Sequence, residues 1–369
     1  MSVESERGHP AFDASILDVL RTGIRITGGR PSLALRGLAL LRRQQRAARR
    51  REREENLGLR VPPFVIFSAT GACNLACAGC YANILHRAPR TEMSDERVAC
   101  FLREARDLGV SVILLAGGEP LLRPGLLAEA ASVPEILFLL FTNGTLLDDR
   151  VLGTLCAAPH IVPVLSVEGG EAETDARRGA GAYGRVTAAM ARLKDRRVVF
   201  GTSTTLTRAN FDAATGEPYV RDLARRGCRL FYYINYVPVA PGTDELQLSA
   251  DQVAELGRRL ALYRRTMPAL FIAFPHDEMA FGGCLAAGKG FLHINAYGDA
   301  EPCPFSPYSD RNLVEASFRE ALASPLFQRI RAEAITLDET DGRCALWKRR
   351  EWVKGLLNAT ENRPVARSS

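Results

Sequence analysis

Long apolar runs are missing from this chain of 369 residues. Nothing in it approaches the roughly 18 consecutive apolar positions that a membrane-spanning helix needs. The start, Met1-Ser2-Val3-Glu4-Ser5-Glu6, has no apolar signal core, which argues against secretion and for a cytoplasmic protein. Histidine is scarce. The five (His9, His86, His160, His276 and His293) form no ligand-spaced pair, so a zinc hydrolase has no support. Internal repeats and low-complexity segments are absent, apart from a strand–helix alternation and one arginine-rich stretch. A basic surface is absent as well, despite the net charge of +6. Eight arginines and one glutamate between Arg36 and Arg53 carry +7, so the rest of the chain sums to −1. That excludes a nucleic-acid binder whose main body is basic.

What is present suits a large soluble enzyme. Hydrophobic residues make up 47% and charged ones 24%, enough to bury a sizeable core as one or two domains. The stretch from Leu38 to Arg46 has the pattern of an amphipathic helix that turns polar toward Glu55 and stops near Gly58. The pattern fits a solvated helix packed against the main body. The Arg36 to Arg53 charge leaves an anionic contact (membrane surface, RNA or acidic substrate) as the alternative.

Nine cysteines in such a chain point to metal binding before disulfides. Three are spaced Cys73-x3-Cys77-x2-Cys80, with Tyr81 directly behind. Three thiolates this close can hold three irons of a [4Fe–4S] cube and leave the fourth iron open to a small molecule. They follow the apolar run Phe64 to Phe67 on a Gly71-containing loop, as a barrel enzyme places its chemistry at strand ends. A zinc site prefers paired C-x2-C units with a second pair at some distance, which this spacing lacks.

Further runs follow at regular intervals. Val110 to Ala116 ends in Gly117-Gly118-Glu119-Pro120, Ile136 to Phe141 in Thr142-Asn143-Gly144-Thr145, and Val162 to Val167 in Glu168-Gly169. Glu173 to Gly179 adds a D-x-x-R-G stretch. This ordered set resembles the radical S-adenosylmethionine (radical SAM) superfamily over about residues 60 to 350. The resemblance implies that Cys73, Cys77 and Cys80 ligate a [4Fe–4S] cluster. It also implies that Tyr81 packs near the adenine of SAM and that Gly117, Gly118 and Glu119 hold its amino group. Two glycines let a backbone approach a ligand closely, and Glu119 can accept from an ammonium. Ser166 and Glu168 are candidates for ribose contacts, and Arg178 for the SAM carboxylate.

Strands are also expected at Val198 to Thr204 and Arg229 to Tyr236. Helices are expected after Ser94 (an N-cap), Pro124, Asp148, Tyr183 and Glu217. Six strand–helix units mean a parallel sheet. For this family that implies an α/β fold: a partial (β/α)6 TIM-like barrel, open on one side, with a small C-terminal α+β domain. Pro238 to Gly242 marks the boundary. The expected division is a basic helical extension at 1–60, a radical SAM core at 61–240 and an auxiliary-cluster domain at 241–369.

Beyond the boundary a helix is expected over Ala250 to Arg265. Cys284-x13-Gly298-x4-Cys303 then resembles the auxiliary-cluster region called SPASM, or its shorter form, twitch. A β-hairpin is expected there, Phe291 to Ala296 and Ala300 to Pro302 around Tyr297-Gly298-Asp299. Cys344 follows in the glycine-led Gly342 to Trp347. The full pattern has seven cysteines, whereas Cys284, Cys303 and Cys344 suffice for one auxiliary [4Fe–4S] cluster. Its fourth ligand position is open or taken by a side chain such as His293 or Asp299. Cys100, Cys156 and Cys228 have the look of small buried apolar residues.

The resemblance implies reductive cleavage of SAM to a 5′-deoxyadenosyl radical, which takes a hydrogen from an unactivated carbon. Oxidation, epimerisation or cross-linking of a small molecule or peptide would follow, with flavodoxin or ferredoxin as electron donor. Tyr233, Asn235 and Tyr236 at the end of the sixth strand are candidates to line the substrate pocket. Asp277 is a candidate proton acceptor at its mouth. The first 60 residues are too few and too helical for a leader-binding winged-helix module, which favours a small or separately delivered substrate. The rivals are an iron–sulfur electron carrier or scaffold, which would have no use for GGEP or a three-cysteine cluster, and a peptide maturase. A methyl or methylthio transferase would need an extra domain for which no length remains.

Overall fold

Each apolar run from Phe64 to Asn235 that was read as a strand forms one, and all six are parallel. The computed structural model describes residues 31–85, 90–333 and 344–361. In chain order the strands are β1 Phe64–Thr70, β2 Val112–Gly117, β3 Leu137–Thr142, β4 Ile161–Ser166, β5 Phe200–Leu206 and β6 Cys228–Asn235. These are followed by β7 Leu270–Phe274, β8 Phe291–Ile294 and β9 Ala300–Glu301. The sheet runs β7-β6-β5-β4-β3-β2-β1-β8-β9 and does not close on itself. Among these strands of the described residues, β8 and β9 form the antiparallel pair and the other neighbours are parallel. The parallel sheet is the one the alternation predicted, and the open α/β barrel is the form that the family resemblance implied.

Two of these strands were not legible as barrel strands. β7 is a five-residue apolar run, too short for its period to be read, and it pairs in parallel with β6 from Leu230–Leu270 to Ile234–Phe274. The expected hairpin forms as β8 and β9, but β8 also pairs in parallel with β1. Residues beyond 240 thus supply both outer edges of the barrel sheet.

The helices cover the outer face. Pro31–Asn56 is α1, Tyr81–Leu85 α2, Asp95–Leu108 α3, Leu126–Ala131 α4, Asp149–Ala157 α5, Glu171–Arg178 α6 and Ala182–Asp195 α7. Phe211–Thr215 is α8, Glu217–Arg226 α9 and Ala250–Thr266 α10. Ser94 caps α3 by accepting from the Arg97 amide at 3.2 Å, and Gly109 ends it at φ +96°. Alternate strand residues face opposite ways. Val65, Phe67, Ile113, Leu115, Phe138 and Leu140 pack outward against the helices. Phe64, Ile66, Val112, Leu114, Leu139, Val164, Leu230 and Tyr232 fill the barrel interior.

The arginine-rich helix α1 runs under the N-terminal ends of β2 and β3. Gln44 Nε2 donates to the Ser111 carbonyl at 3.0 Å, and Arg43 to the Pro134 carbonyl at 2.7 Å. Arg51, 7% exposed, donates to the Gly109 carbonyl and to Ser111 Oγ at 2.8 Å. Part of the positive charge is therefore spent on loop carbonyls, as a helix packed against the main body requires. Among the described residues no helix is long and apolar enough to cross a membrane.

Candidate active site

The loop after β1 carries Cys73, Cys77 and Cys80 as free thiols at the C-terminal end of the sheet. It is stitched to the ends of the neighbouring strands. Glu92 accepts from Thr70 Oγ1 at 2.9 Å and from the Gly71 amide at 2.8 Å. Asn74 accepts from Asn143 Nδ2 and donates to Thr145 Oγ1, both at 2.8 Å, which ties the loop to the end of β3. The Ala78 amide donates to the Arg177 carbonyl at 2.8 Å, and Arg177 Nε donates back to the Ala78 carbonyl at 3.1 Å. Asn74 and Arg177 were not singled out in the sequence, since neither residue type signals a loop clamp.

Gly117 and Gly118 are where the chain itself, and not a ligand, demands the absence of a side chain. A Cβ on Gly118 would lie 1.9 Å from the Ala72 carbonyl oxygen. On Gly117, at φ +116°, it would lie 2.5 Å from the Thr70 oxygen. The expected close approach is made by the cysteine loop's own backbone, with Gly118 N donating to Thr70 O and Glu119 N to Ala72 O at 2.8 Å each.

Two buried carboxylates brace the rim. Glu119, 1% exposed, accepts from Thr142 Oγ1 and the Asn143 amide at 2.8 Å each and from the Leu121 amide at 3.2 Å. Burial still raises its pKa despite these bonds. Glu168, also 1% exposed, takes Arg178 at 2.9 and 2.5 Å on one oxygen and the Thr205 amide at 3.0 Å on the other. Arg177 lies 3.1 Å from the same carboxylate. Arg178 Nη1 stands 3.9 Å from the Cys77 sulfur. Burial raises the Cys73 and Cys77 thiols, and at Cys77 the Arg178 charge opposes it.

Inside the barrel, just below this rim, the lining turns from apolar to polar. The registers bring Ser68 opposite Ala116, Ser166 opposite Ser203 and Ser203 opposite Tyr232. Ser166 and Ser203 hydroxyls are 3.4 Å apart. Ser68 Oγ lies 2.8 Å from His293 Nε2, and His293 Nδ1 lies 2.7 Å from Glu301 Oε2. Burial lowers the His293 pKa to about 3, so the ring is neutral.

The pocket candidates divide. Tyr233 and Asn235 alternate with the inward-facing Leu230, Tyr232 and Ile234. Tyr233 therefore points out into the helix layer, where its hydroxyl donates to the Ala214 carbonyl at 3.4 Å. The inward aromatic is Tyr232. Asn235 is buried at 5% exposure on that outward alternation. Tyr236 lies against the cysteine loop: its ring stands 3.2 Å from where a Cβ on Gly79, between Cys77 and Cys80, would be. Asp277 is held by the chain itself at the end of β7. Both its oxygens take Arg264 at 2.8 Å, and one also takes the Ala273 amide.

The second cysteine group converges from three elements. Cys284 and Cys303 are buried, and Cys344 is half-buried at the start of the helix Ala345–Lys348. Burial, then the Cys344 and Cys284 thiols, push Cys303 well above its ordinary pKa, so the three sulfurs feel one another. The Phe305 amide donates to Cys303 Sγ at 3.4 Å. Gly342 and Arg343 lie outside the described residues. Neither suggested fourth ligand is on offer, because His293 uses both nitrogens as above and Asp299 binds Arg90, Asn295 and Asn312. Tyr81 joins the two cysteine groups, its ring 5.1 Å from that of Phe305. Of the other cysteines, Cys228 is buried, Cys100 half-buried and Cys156 exposed, which corrects the expectation for Cys156. Among the described residues no three His, Cys, Asp or Glu side chains form the ligand set of a single metal ion. A cube takes each thiolate at a separate corner, and two groups of three free thiols fit that donor chemistry.

Comparison with known proteins agrees with this geometry. Residues 67–227 match the family model of the radical SAM superfamily. The AdoMet-dependent heme synthase of Methanosarcina barkeri is 25% identical over 315 residues, 77% of this chain and 88% of that protein. The mycofactocin maturase MftC of Mycolicibacterium smegmatis is 27% identical over 262 residues, 68% of this chain and 66% of the maturase. The crystal structure of Streptococcus suis SuiB bound to precursor peptide SuiA superposes with a TM-score of 0.62 at 18% identity. That match covers 87% of this chain and 76% of SuiB, and shows the shared fold.

Proposed function

We propose, from the premise that this chain carries a radical SAM domain and is a radical SAM enzyme, that it modifies a peptide at an unactivated carbon with the help of one auxiliary cluster. When bound, a [4Fe–4S] cube and S-adenosylmethionine supply the one-electron cleavage that yields a 5′-deoxyadenosyl radical. The chain's own residues hold, orient and shield. Cys73, Cys77 and Cys80 would ligate the cube, on a loop that Asn74 holds to the end of β3 and Arg177 holds to helix α6. Gly117 and Gly118, half-buried beside that loop, would present backbone to the amino group of SAM. Ser166 stands on the face of β4 that a ribose would meet. Cys284, Cys303 and Cys344 would ligate the auxiliary [4Fe–4S] cluster within residues 241–369, behind the core of 61–240 and the extension of 1–60. A small one-electron donor such as flavodoxin or ferredoxin would reduce the cube.

The observation that carries the substrate class is the polar ring below the rim. Ser68, Ser166, Ser203 and Tyr232 offer hydroxyl groups without charge, and the neutral His293 ring, held between Ser68 and Glu301, backs the first of them. Such a ring suits the amides of a peptide better than a carboxylate-rich molecule, whose charge would go unpaired there. Peptide-bound SuiB and the mycofactocin maturase point the same way. A small-molecule substrate is the second reading, favoured by the alignment along 88% of the heme synthase.

The test is 5′-deoxyadenosine formation under strict anaerobiosis from SAM and a strong reductant. Reconstituted wild type is compared with the Cys73→Ala/Cys77→Ala/Cys80→Ala variant. Product from wild type alone is expected. A fully iron-loaded wild type that yields none, alone or with candidate peptides, sinks the proposal.

A further inference from the structure

Arg178 is expected from the family resemblance to meet the carboxylate of SAM, yet its guanidinium is already engaged. It is 14% exposed, with two bonds to the buried Glu168 and a nitrogen 3.9 Å from the Cys77 sulfur. Its backbone neighbour Arg177 grips the loop at Ala78, so helix α6 fixes the position of Arg178 relative to the cysteines. We infer that Arg178 is a positioning residue that sets the reduction potential of the Cys73–Cys77–Cys80 cluster, with Glu168 as its counterweight. This rests on the cluster assignment above and goes beyond it.

The physics gives each partner a sign. Reduction adds one electron to the cube from an external donor, and no bond forms or breaks. The reduced cluster is one unit more negative, and a cationic donor at a ligating sulfur stabilises it, which raises the potential. Glu168 holds a negative charge against that cation and so tempers the effect. Burial intensifies both, because little water screens them. A guanidinium stays protonated in any working buffer, and the Glu168 carboxylate beside it favours that charge.

A role in bracing the loop alone predicts something different. Arg178→Gln and Glu168→Gln each break the same ion pair, so a merely structural clamp would be loosened in the same sense by either. A tuning pair answers with opposite signs. R178Q removes the cation and lowers the potential, whereas E168Q frees the cation from its counterion and raises it.

The experiment is an anaerobic redox titration followed by electron paramagnetic resonance on reconstituted full-length wild type, R178Q, R178K and E168Q. The signal that changes on adding S-adenosylmethionine identifies the Cys73 cluster and separates it from any other. R178Q is expected to lower the reduced-to-oxidised ratio at fixed potential about tenfold, roughly 59 mV for a one-electron couple. E168Q should shift the ratio the other way, and R178K should lie between wild type and R178Q. If R178Q takes up no iron, R178K and E168Q still carry the sign test. Unchanged potentials, or shifts of one sign in R178Q and E168Q at full iron loading, overturn the inference. A wild type that forms no SAM-responsive cluster fails earlier, and indicts the cluster assignment instead.

Discussion

Gly118→Ala offers the sharpest test of how the cysteine loop is held. The added Cβ would sit 1.9 Å from the Ala72 oxygen, 2.5 Å from its carbonyl carbon and 3.0 Å from the Gly71 oxygen. All three are backbone atoms, so no rotamer can turn away. Restoring an ordinary contact of about 3.4 Å requires the loop to retreat by about 1.5 Å, and Ala72 adjoins Cys73. The retreat breaks the bonds from Gly118 N to Thr70 O and from Glu119 N to Ala72 O, about 1 kcal/mol each. Overpacking adds about 1–3 kcal/mol, for a local cost of roughly 3–5 kcal/mol. A displacement of this order at a reacting centre also costs about 100-fold in rate. Gly153→Ala is the control: it lies within α5 with nothing inside 4 Å of the added atom, and should gain up to about 1 kcal/mol. Denaturant unfolding of the apo chains, iron per chain after reconstitution and 5′-deoxyadenosine formation are measured together. G118A should be less stable, bind less iron and lose most activity, while G153A loses none. If G118A instead matches wild type in stability and iron, the close approach is not what the two glycines are for.

Three other outcomes are expected. The His293 ring, flanked by Ser68 and Glu301 with the Asp299 charge nearby, stays neutral in the folded chain down to about pH 3 because burial outweighs that charge. The unfolded chain takes up its proton near pH 6.5, so this group lowers stability by about 1.4 kcal/mol per unit as pH falls from 6 to 4. His293→Asn should flatten that slope in unfolding measurements, and parallel slopes would refute the account. Arg51→Ala removes donors to the Gly109 carbonyl and Ser111 Oγ and should cost about 3 kcal/mol. SAM cleavage at low temperature should persist, and an unchanged unfolding midpoint would mean that α1 is not anchored there. Cys303→Ser should halve the iron bound per chain, whereas Cys228→Ser, buried beside Thr202 at 3.6 Å, should change nothing. Equal iron in both variants would remove the auxiliary cluster.

Strand positions were legible because runs such as Val110 to Ala116 are bounded by glycine and polar turns, and Ser94 and Gly109 carry their capping chemistry in their identities. The cysteine loop was legible for the same reason, since ligand spacing is local. What was hidden is what depends on register. Tyr232 and Tyr233 are adjacent and chemically alike, and only the pairing of β6 with β5 and β7 decides which faces the interior. Ser68 and His293 are 225 residues apart and meet only because β8 joins β1. Asp277 carries a charge suited to catalysis, but the fold commits it to Arg264.

The two buried glutamates show why the rim holds its shape. Glu119 leaves the end of β2 and binds the end of β3, through Thr142 and the Asn143 amide. Glu168 leaves the end of β4 and binds β5 at the Thr205 amide. In each case a carboxylate bridges neighbouring parallel strands where their ladder has run out, satisfying backbone donors that would otherwise be orphaned. The cysteine loop is gripped from the same places, by the end of β3 through Asn143 and Asn74, and by helix α6 through Arg177, which holds Ala78 and lies 3.1 Å from Glu168. Loop position is thus set by the sheet through two short chains of hydrogen bonds. The two carboxylates differ in what balances them. Glu119 is held by neutral donors, and burial raises its pKa, whereas Glu168 faces two arginines. Paired charge is concentrated on the Cys77 side of the loop, where Arg178 stands, whereas the Glu119 carboxylate behind the Cys73 side has only neutral hydrogen-bond partners.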